Sequence, residues 1–239
     1  MPFPTQTQYN AAQVAAAQSG QAPALDLNTI LGTMVDRGIW PYYDTQYLQL
    51  SAGSGTLNAS YTFFAQQNGA TDQVTGVGRT FTQTNMISQG NNNGFGATRC
   101  FILMAFGFRF PSFMSKANVD AIIETANFTF QINEKPFFQG RMEDWPGGAG
   151  LMGVSAVSGE ETWTLGLPVP EAMRRFTLKY AKYIAPTIPF YFTVSFPQQP
   201  TLTFPNIPSG VGITNPNNSA TCVPFLRVML DGLTDRAVQ

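Results

Sequence analysis

The chain has no histidine among its 239 residues. That absence excludes a Ser-His-Asp triad, a Cys-His pair and a metal site with histidine ligands, each built from this chain alone. The chain has only two cysteines, Cys100 and Cys222, which also excludes a zinc site with four thiolates. The two cysteines follow no recognisable motif, so two buried thiols and a disulfide both stay open. We expect no cofactor and no bound metal.

Charge is scarce as well. Asp, Glu, Lys and Arg make up 11% of the residues, against about 25% in ordinary soluble domains. A surface with so little charge has weak protection against sticking to copies of itself, so the composition favours a protein that neighbouring molecules cover. The formal net charge is −1 and the sequence has no Lys/Arg cluster, so we expect no direct binding of nucleic acid.

Targeting signals are the third absence. The N-terminus begins Met-Pro-Phe-Pro and has neither the basic region nor the apolar core of a secretory signal. No apolar run reaches the roughly 18 residues that a transmembrane helix needs. We therefore expect neither a signal peptide nor a transmembrane segment, while contact with a membrane stays open.

The longest apolar run extends from Cys100 to Phe108, between Arg99 and Arg109. It has no 3.6-residue rhythm and is rich in aromatic and branched side chains, which favours a strand over a helix. Strict alternation divides it into two apolar faces. One face carries Cys100, Ile102, Met104, Phe106, Phe108 and Phe110, and the other carries Phe101, Leu103, Ala105 and Gly107. We predict a strand buried on both sides, with a layer above it and another below.

Residues 1–50 are predicted to form an N-terminal arm with one or two short helices and no strands. A short Ala/Gln helix over 11–19 follows the cap residue Asn10, and a second helix follows Asp26 and stops at Gly38. The second helix carries an apolar stripe of Leu27, Ile30, Leu31, Met34 and Val35. The arm either folds back on its own domain or docks on a neighbouring subunit, together with the aromatic segment Trp40-Pro41-Tyr42-Tyr43.

Residues 51–239 alternate short β-type segments with polar, Gly-rich or Pro-rich turns, which is typical of a mainly β, antiparallel β-sandwich, either jelly-roll or immunoglobulin-like. One short helix is predicted over 117–126, and a helical turn after Pro170 that contains Arg174 and Arg175. The predicted strands cover 57–64, 79–87, 100–108, 127–132 with 137–142 as a hairpin, 161–167, 190–196 and 224–230. The predicted loops cover 69–78, 88–97, 143–158 and 197–218.

Carboxylates are the remaining chemistry that works without histidine. Glu143, Asp144, Glu160 and Glu161 lie in or beside one Gly-rich loop, and a glycosidase needs only two carboxylates. Consecutive strand residues point to opposite faces, so Glu160 and Glu161 do not serve the same site. The alternative is that all four are solvated, and we expect no enzyme. Likewise 231–235 offers either oxygens to Ca²⁺ or, as we expect, a turn after the last strand.

Three segments carry a resemblance to a known family: the hairpin 127–138, the loop 144–150 and the closing strand 225–232. Together with the polar arm, they resemble the coat proteins of icosahedral viruses and phages that are built on viral jelly rolls. The resemblance implies a jelly-roll-like single barrel with a partly helical N-terminal arm. It also implies a building block of a virion shell, present in many copies and without catalysis.

The leading hypothesis is therefore a capsid protein of a virion shell that self-assembles through its arm and its loops. Its expected partners are copies of itself and other virion proteins, and its expected location is the virion. Two alternatives are a β-sandwich binding module for a receptor or a carbohydrate, and a carboxylate-based glycoside hydrolase. The predicted assembly contacts are Leu27, Ile30, Leu31, Met34, Trp40, Tyr42, Tyr43 and Trp145.

Overall fold

A computed structural model gives the fold. It describes residues 35–39, 41–48, 54–72, 76–86, 95, 99–111, 114, 116–143, 151–157, 160–165, 174–175, 181–203 and 224–237. The predicted helix over 11–19 and residues 27–34 of the second predicted helix lie outside the described residues.

The described part contains fourteen strands and one helix, so the protein is mainly β, as predicted. The strands in the first half are β1 (Val35–Ile39), β2 (Tyr42–Tyr47), β3 (Ser54–Thr56), β4 (Ser60–Phe63), β5 (Arg99–Arg109), β6 (Asn127–Ile132) and β7 (Lys135–Arg141). The helix α1 (Lys116–Thr125) lies between β5 and β6. The other strands are β8 (Leu151–Val157), β9 (Glu160–Leu165), β10 (Arg174–Arg175), β11 (Lys182–Ile184), β12 (Phe190–Ser195), β13 (Thr201–Thr203) and β14 (Phe225–Ala237).

Two larger sheets contain most of these strands. In the first sheet β14 lies between β5 and the pair β1 and β2, and β5 in turn pairs with β10 and β11. The second sheet has the order β4-β12-β6-β7. Two small sheets pair β3 with β13 and β8 with β9. Every pairing is antiparallel, which agrees with the predicted antiparallel architecture.

Apart from the β8–β9 pair, which lies between β7 and β10, most pairings are nested around the β6–β7 hairpin. Outward from that hairpin, β5 pairs with β11 and β10, β4 with β12, β3 with β13, and finally β2 and β1 with β14. Each pair encloses the one before it, as in a single long two-stranded ribbon. Two lateral pairings, β14 with β5 and β12 with β6, join this ribbon to itself.

The strand β14 holds the first sheet together. It has 13 residues and pairs with β5 along one edge and with β1 and β2 along the other. The pairing with β1 and β2 keeps one register from Val35 opposite Ala237 to Tyr47 opposite Phe225. The first two described strands are therefore paired with the last strand in one sheet.

The two sheets contact each other through phenylalanine rings. Phe106 and Phe108 of β5 lie against Phe128 of β6 and Phe192 of β12, with ring centroids 5.3 to 6.0 Å apart. These rings are buried in a common core that also includes Leu226, Val228 and Leu230 of β14. Burying such large apolar side chains is the main source of the fold's stability.

The central strand contains a β-bulge that strict alternation does not predict. Asp231 lies opposite Ala105 and Gly232 opposite Leu103, so Met104 has no partner in β14. Such an extra residue reverses which side chains face the core. The common core accordingly holds Phe101 and Leu103 before the bulge, and Phe106, Phe108 and Phe110 after it. Cys100 and Ile102 are buried in a second cluster with Ala181, Tyr183 and Ala185. The strand is buried on both faces, as predicted, but the predicted face of Cys100 and Ile102 is wrong.

Several sequence predictions agree with the structure within one or two residues. They are the strands β5, β9 and β12, the helix α1, and the β6–β7 hairpin, whereas β4 begins three residues after the start of the predicted strand 57–64. The turn of that hairpin is shorter than predicted, since β7 begins at Lys135. Asn133 has a φ of 54° there, a left-handed conformation that Asn adopts more readily than most residues.

The first group of corrections concerns the first sheet. Val35 and Gly38 belong to β1 rather than to a helix and its stop, and Tyr42 and Tyr43 belong to β2, so the predicted absence of strands before residue 51 is wrong. The predicted turn over 231–235 is part of β14. In both places pairing with a distant strand overrides the local pattern, which is a weak determinant by comparison.

The second group concerns segments that were predicted as loops or helices. The loop 143–158 contains β8, the loop 197–218 contains β13, and Arg174 and Arg175 form β10 instead of a helical turn. The predicted strand 79–87 is irregular over its described residues, with a turn at 81–83 and one isolated bridge at Thr84. No closed barrel occurs among the described strands, because the second sheet ends at β4 and β7.

Candidate assembly surface

The connection between β4 and β5 covers the outer edge of β2. We call residues 64–86 the contact loop; its residues 64–72 and 76–86 are described. The backbone N–H of Tyr43 donates to Oδ1 of Asn85 over 2.8 Å, and the N–H of Asn85 donates to the Tyr43 carbonyl over 3.3 Å. Asp44 and Thr84 form an isolated bridge beside them. The loop thus occupies an edge that would otherwise be open to pairing with another chain.

A buried ion pair fixes the contact loop to β2. The Asp44 side chain is 0% exposed and Arg79 is 1% exposed, and Nη2 of Arg79 donates to Oδ1 of Asp44. The carboxylate also accepts the backbone N–H groups of Thr45, at 2.9 Å, and Phe64, at 2.6 Å. A buried charge is tolerated only with such partners, since removing one leaves the other uncompensated.

Arg79 also donates hydrogen bonds to backbone carbonyls of β2 and of the contact loop. Its Nη2 donates to the Thr45 carbonyl over 2.6 Å, and its Nη1 donates to the Gln66 carbonyl over 3.4 Å. One side chain therefore connects β2 with the start of the contact loop. This ion pair favours a single geometry of the loop, because any other arrangement would leave two buried charges without a partner.

Burial changes the titration of two groups in this region. Desolvation raises the pKa of Asp44 to about 6, against the opposing effect of the Arg79 guanidinium and of the backbone N–H groups. At pH 7 the carboxylate is still ionised. Desolvation also raises the pKa of the Tyr47 hydroxyl to about 12, and the nearby Asp72 adds to this increase.

Arg227 of β14 makes the second connection to the contact loop. Its Nε donates to Oγ1 of Thr45 over 2.8 Å, and its Nη2 donates to the Thr82 carbonyl over 2.5 Å. The guanidinium lies over the rings of Tyr43 and Phe225, with its Cζ 5.1 and 5.4 Å from the ring centroids. Burial lowers the pKa of Arg227, and the nearby Arg109 lowers it further.

The loop presents apolar side chains to solvent. Phe81 is 60% exposed and Val77 is 51% exposed, and they are the large apolar residues that the described chain exposes. The Tyr43 hydroxyl donates to the carbonyl of Phe81, which fixes the backbone beneath the exposed ring. An aromatic ring held in place by a rigid backbone loses little conformational freedom on binding, which suits it to an interface.

The β7 edge of the second sheet is protected from pairing in another way. Among the described strands, β7 pairs only with β6. The strand carries Lys135 and Pro136 at its start, and its register with β6 shifts after Phe130. A charge, a proline and a bulge each discourage pairing with another chain. The contact loop is therefore the better candidate for an assembly surface.

Only two of the eight predicted contact residues have described side chains. Tyr42 lies in the chain's own core at 4% exposed. Tyr43 lies at the half-buried base of the contact loop. Leu27, Ile30, Leu31, Met34, Trp40 and Trp145 lie outside the described residues, and their role stays a prediction.

Sequence reasoning missed the main components of this surface. Phe81 was assigned to a Thr-rich strand, and Asp44 and Arg79 were not singled out. One signal was available, since Asp44 is a lone carboxylate within the aromatic segment that ends at Tyr47. A charge in such a segment indicates a buried partner.

Of the four carboxylates considered for catalysis, only Glu143 has a side chain that the structure describes. Glu143 pairs with Arg141 at 2.7 Å on the surface. Glu160 and Glu161 are consecutive residues of β9, and Asp144 lies outside the described residues. Among described residues no group of three or more His, Cys, Asp or Glu side chains could hold a metal ion. The described helix is not long and apolar enough to span a membrane.

Comparison with known proteins gives no relative for this chain: no family model, no curated protein and no solved structure matches it.

Proposed function

We propose that this chain is a jelly-roll subunit of a virion shell and that it assembles with copies of itself through the contact loop. The nested strand pairing is the observation that carries the proposal. A jelly roll is an eight-stranded ribbon rolled into two facing sheets, an architecture used by viral capsid proteins, lectins and cupins. The strands β2, β4, β5, β6, β7, β11, β12 and β14 supply such a ribbon.

The order of these eight strands supports the rolled arrangement. The first pairs with the last, the second with the seventh, the third with the sixth and the fourth with the fifth. The chain changes sheet at every step except at the β6–β7 hairpin. Rolling the ribbon brings β14 beside β5 and β12 beside β6, which are the two lateral pairings found.

The surface favours a shell subunit over the other jelly-roll functions. The chain has little charge, and its formal net charge of −1 gives copies almost no long-range repulsion. Phe81 is the one exposed aromatic ring among the described side chains, so the described residues form no set of coplanar rings for a sugar. The contact loop has the composition of an interface anchor, an exposed Phe beside an ordered Arg.

Sedimentation velocity over a range of concentrations tests the proposal, with electron microscopy of any large species. The wild type is expected to form large, regular assemblies as its concentration rises. Phe81→Ser is expected to remain monomeric with an unchanged melting temperature, since the ring is exposed. Gln139→Ser, at an exposed position of β7, is the matched control and should assemble like the wild type. A wild type that stays monomeric at every concentration would overturn the proposal.

A further inference from the structure

Two arginines lie directly opposite each other at one end of the β5–β14 ladder. Arg109 and Arg227 are cross-strand partners in the register of the first sheet. Directly opposite residues have Cβ atoms about 4.5 to 5.5 Å apart on the same face of the sheet, and two like charges there destabilise the sheet. The protein therefore retains an arrangement that weakens its own fold, which calls for a compensating role.

No carboxylate of the described chain balances this pair. Asp44 acts on Arg227 electrostatically but is bound to Arg79. Asp231 lies further along β14, opposite Ala105. Arg109 is half-buried and has no hydrogen bond or ion pair with any described residue. Arg227 uses Nε and Nη2 within the chain, which leaves the two N–H groups of Nη1 without an acceptor among the described residues.

We infer that the Arg109–Arg227 pair binds a carboxylate side chain presented by a second copy of this chain. The inference rests on the proposed self-assembly and names the chemistry of its polar contact. A guanidinium donates two parallel hydrogen bonds to a planar carboxylate. Arg227 is already oriented by its two hydrogen bonds and by the rings of Tyr43 and Phe225, so little conformational freedom is lost on binding.

Two observations favour a second copy as the source of the carboxylate. First, the arginine pair adjoins the exposed part of the contact loop, because Arg227 binds the Thr82 carbonyl next to Phe81. An apolar anchor beside an arginine is the composition of an interface hot spot. Second, the chain carries 14 acidic and 13 basic residues, so each copy can offer a carboxylate to the next. Two arginines on a chain of net charge −1 are too few for nucleic acid.

Sedimentation velocity of Arg109→Gln and Arg109→Lys, at about 0.05 M and about 0.5 M NaCl, tests this inference. Arg99→Gln is the matched control, since Arg99 is a half-buried arginine at the other end of the same strand. It also lies opposite an arginine, Arg236, but Arg236 lies opposite Asp36 of β1 on its other side. Melting temperatures establish folding, and Arg109→Gln should melt at or slightly above the wild-type temperature because it removes a like-charge contact. Anisotropy of a labelled single-stranded DNA is measured in parallel.

At low salt, Arg109→Gln is expected to raise the concentration for half-assembly by roughly tenfold or more, the effect of losing a charge-assisted hydrogen bond. Arg109→Lys should assemble at a concentration between those of the wild type and Arg109→Gln, and Arg99→Gln should assemble at the wild-type concentration. High salt should reduce the difference in half-assembly concentration between the wild type and Arg109→Gln. If the wild type assembles and Arg109→Gln assembles equally well, the inference is wrong while the proposed function stands. Equal losses for Arg99→Gln and Arg109→Gln, or DNA binding that depends on Arg109, would also overturn it. A wild type that never assembles overturns both.

Discussion

The two sheets differ in how their strands are held together. In the second sheet, β6 and β12 bury Phe128, Phe130, Phe190 and Phe192 on one face in regular alternation. The first sheet contains a bulge in its central strand, and a buried ion pair ties the contact loop to its edge strand β2. In the second sheet the pairing of β6 with β12 is regular, and the register shift lies in its outer pair, β6 with β7. The first sheet combines apolar packing with specific polar and backbone constraints.

This difference separates the stabilising part of the molecule from its proposed contact part. Irregular and charged features weaken a fold unless something fixes them, and natural proteins concentrate them at functional positions. In this protein the buried ion pair and the hydrogen bonds of Arg227 occur together, where β2, β14 and the contact loop meet. A substitution in the first sheet should therefore change the free energy of unfolding more than its matched control in the second sheet.

The largest expected effect comes from the buried ion pair. Arg79→Leu leaves the Asp44 carboxylate buried without its cation, which should destabilise the fold by about 3 to 5 kcal/mol. The matched control is Arg141→Leu, where the cation pairs with Glu143 at the surface and the loss should stay below about 1 kcal/mol. Urea unfolding at pH 7 measures both. Similar losses for the two variants would show that the buried pair does not fix the loop.

A smaller but still large effect is expected at the glycine opposite the bulge. A Cβ placed on Gly232 would lie 2.0 Å from the Ile102 carbonyl oxygen and 2.9 Å from Cζ of Phe101. Gly232→Ala should therefore destabilise the protein by about 3 kcal/mol, the upper range for overpacking.

Gly140 of β7 provides the control in the second sheet. A Cβ there would meet the Phe128 ring at 3.7 Å, an ordinary contact. Gly140→Ala should change the free energy of unfolding by less than about 1 kcal/mol. Thermal and urea unfolding compare the two variants, and a tolerated Gly232→Ala would contradict the close approach of β14 to β5.

The smallest expected effect is a pH dependence specific to the first sheet. Because the pKa of Asp44 is raised from 3.8 to about 6 on folding, the native state binds more protons there than the unfolded state between about pH 4 and pH 6. The contribution of Asp44 to stability is therefore fully present below about pH 4 and is lost as the pH rises through 6. The stability advantage of the wild type over Asp44→Asn should shrink across this window.

Two measurements check this pH dependence. Unfolding of both proteins between pH 4 and pH 7 gives the difference in stability, and an NMR titration of the carboxyl group of Asp44 gives its midpoint directly. A midpoint near the ordinary value of about 3.9, with no change in the stability difference, would contradict the assigned effect of burial.

The sequence predicted the regular parts of the molecule and missed the irregular ones. Alternation identified β6, β7 and β12, and the apolar run identified β5, because strands with a buried face repeat every two residues. The bulge at Met104 was invisible, since an inserted residue leaves no mark in a strand that is apolar on both faces. The strands β1, β3 and β13 were missed because their pairing partners are far away in the sequence.

The candidate surface was less predictable than the fold. The sequence predicted Tyr43 as a contact residue, which stays a prediction. The exposed ring of Phe81 and the Asp44–Arg79 pair depend on how the contact loop folds over β2. Such long-range polar contacts have no sequence periodicity. The pair of like charges formed by Arg109 and Arg227 was likewise not predictable, because it depends on the register of two strands that are distant in the sequence.

The nested pairing is the central claim, and backbone nuclear Overhauser contacts in deuterated protein test it most directly. Leu230 lies opposite Tyr42 on one side and Phe106 on the other, and Thr193 lies opposite both Thr62 and Thr129. The account predicts short amide or α-proton distances for all four pairs. A meander, in which β4 contacts β5 and β12 contacts β11 as neighbours in the sequence, would show none of them and would contradict the jelly-roll proposal.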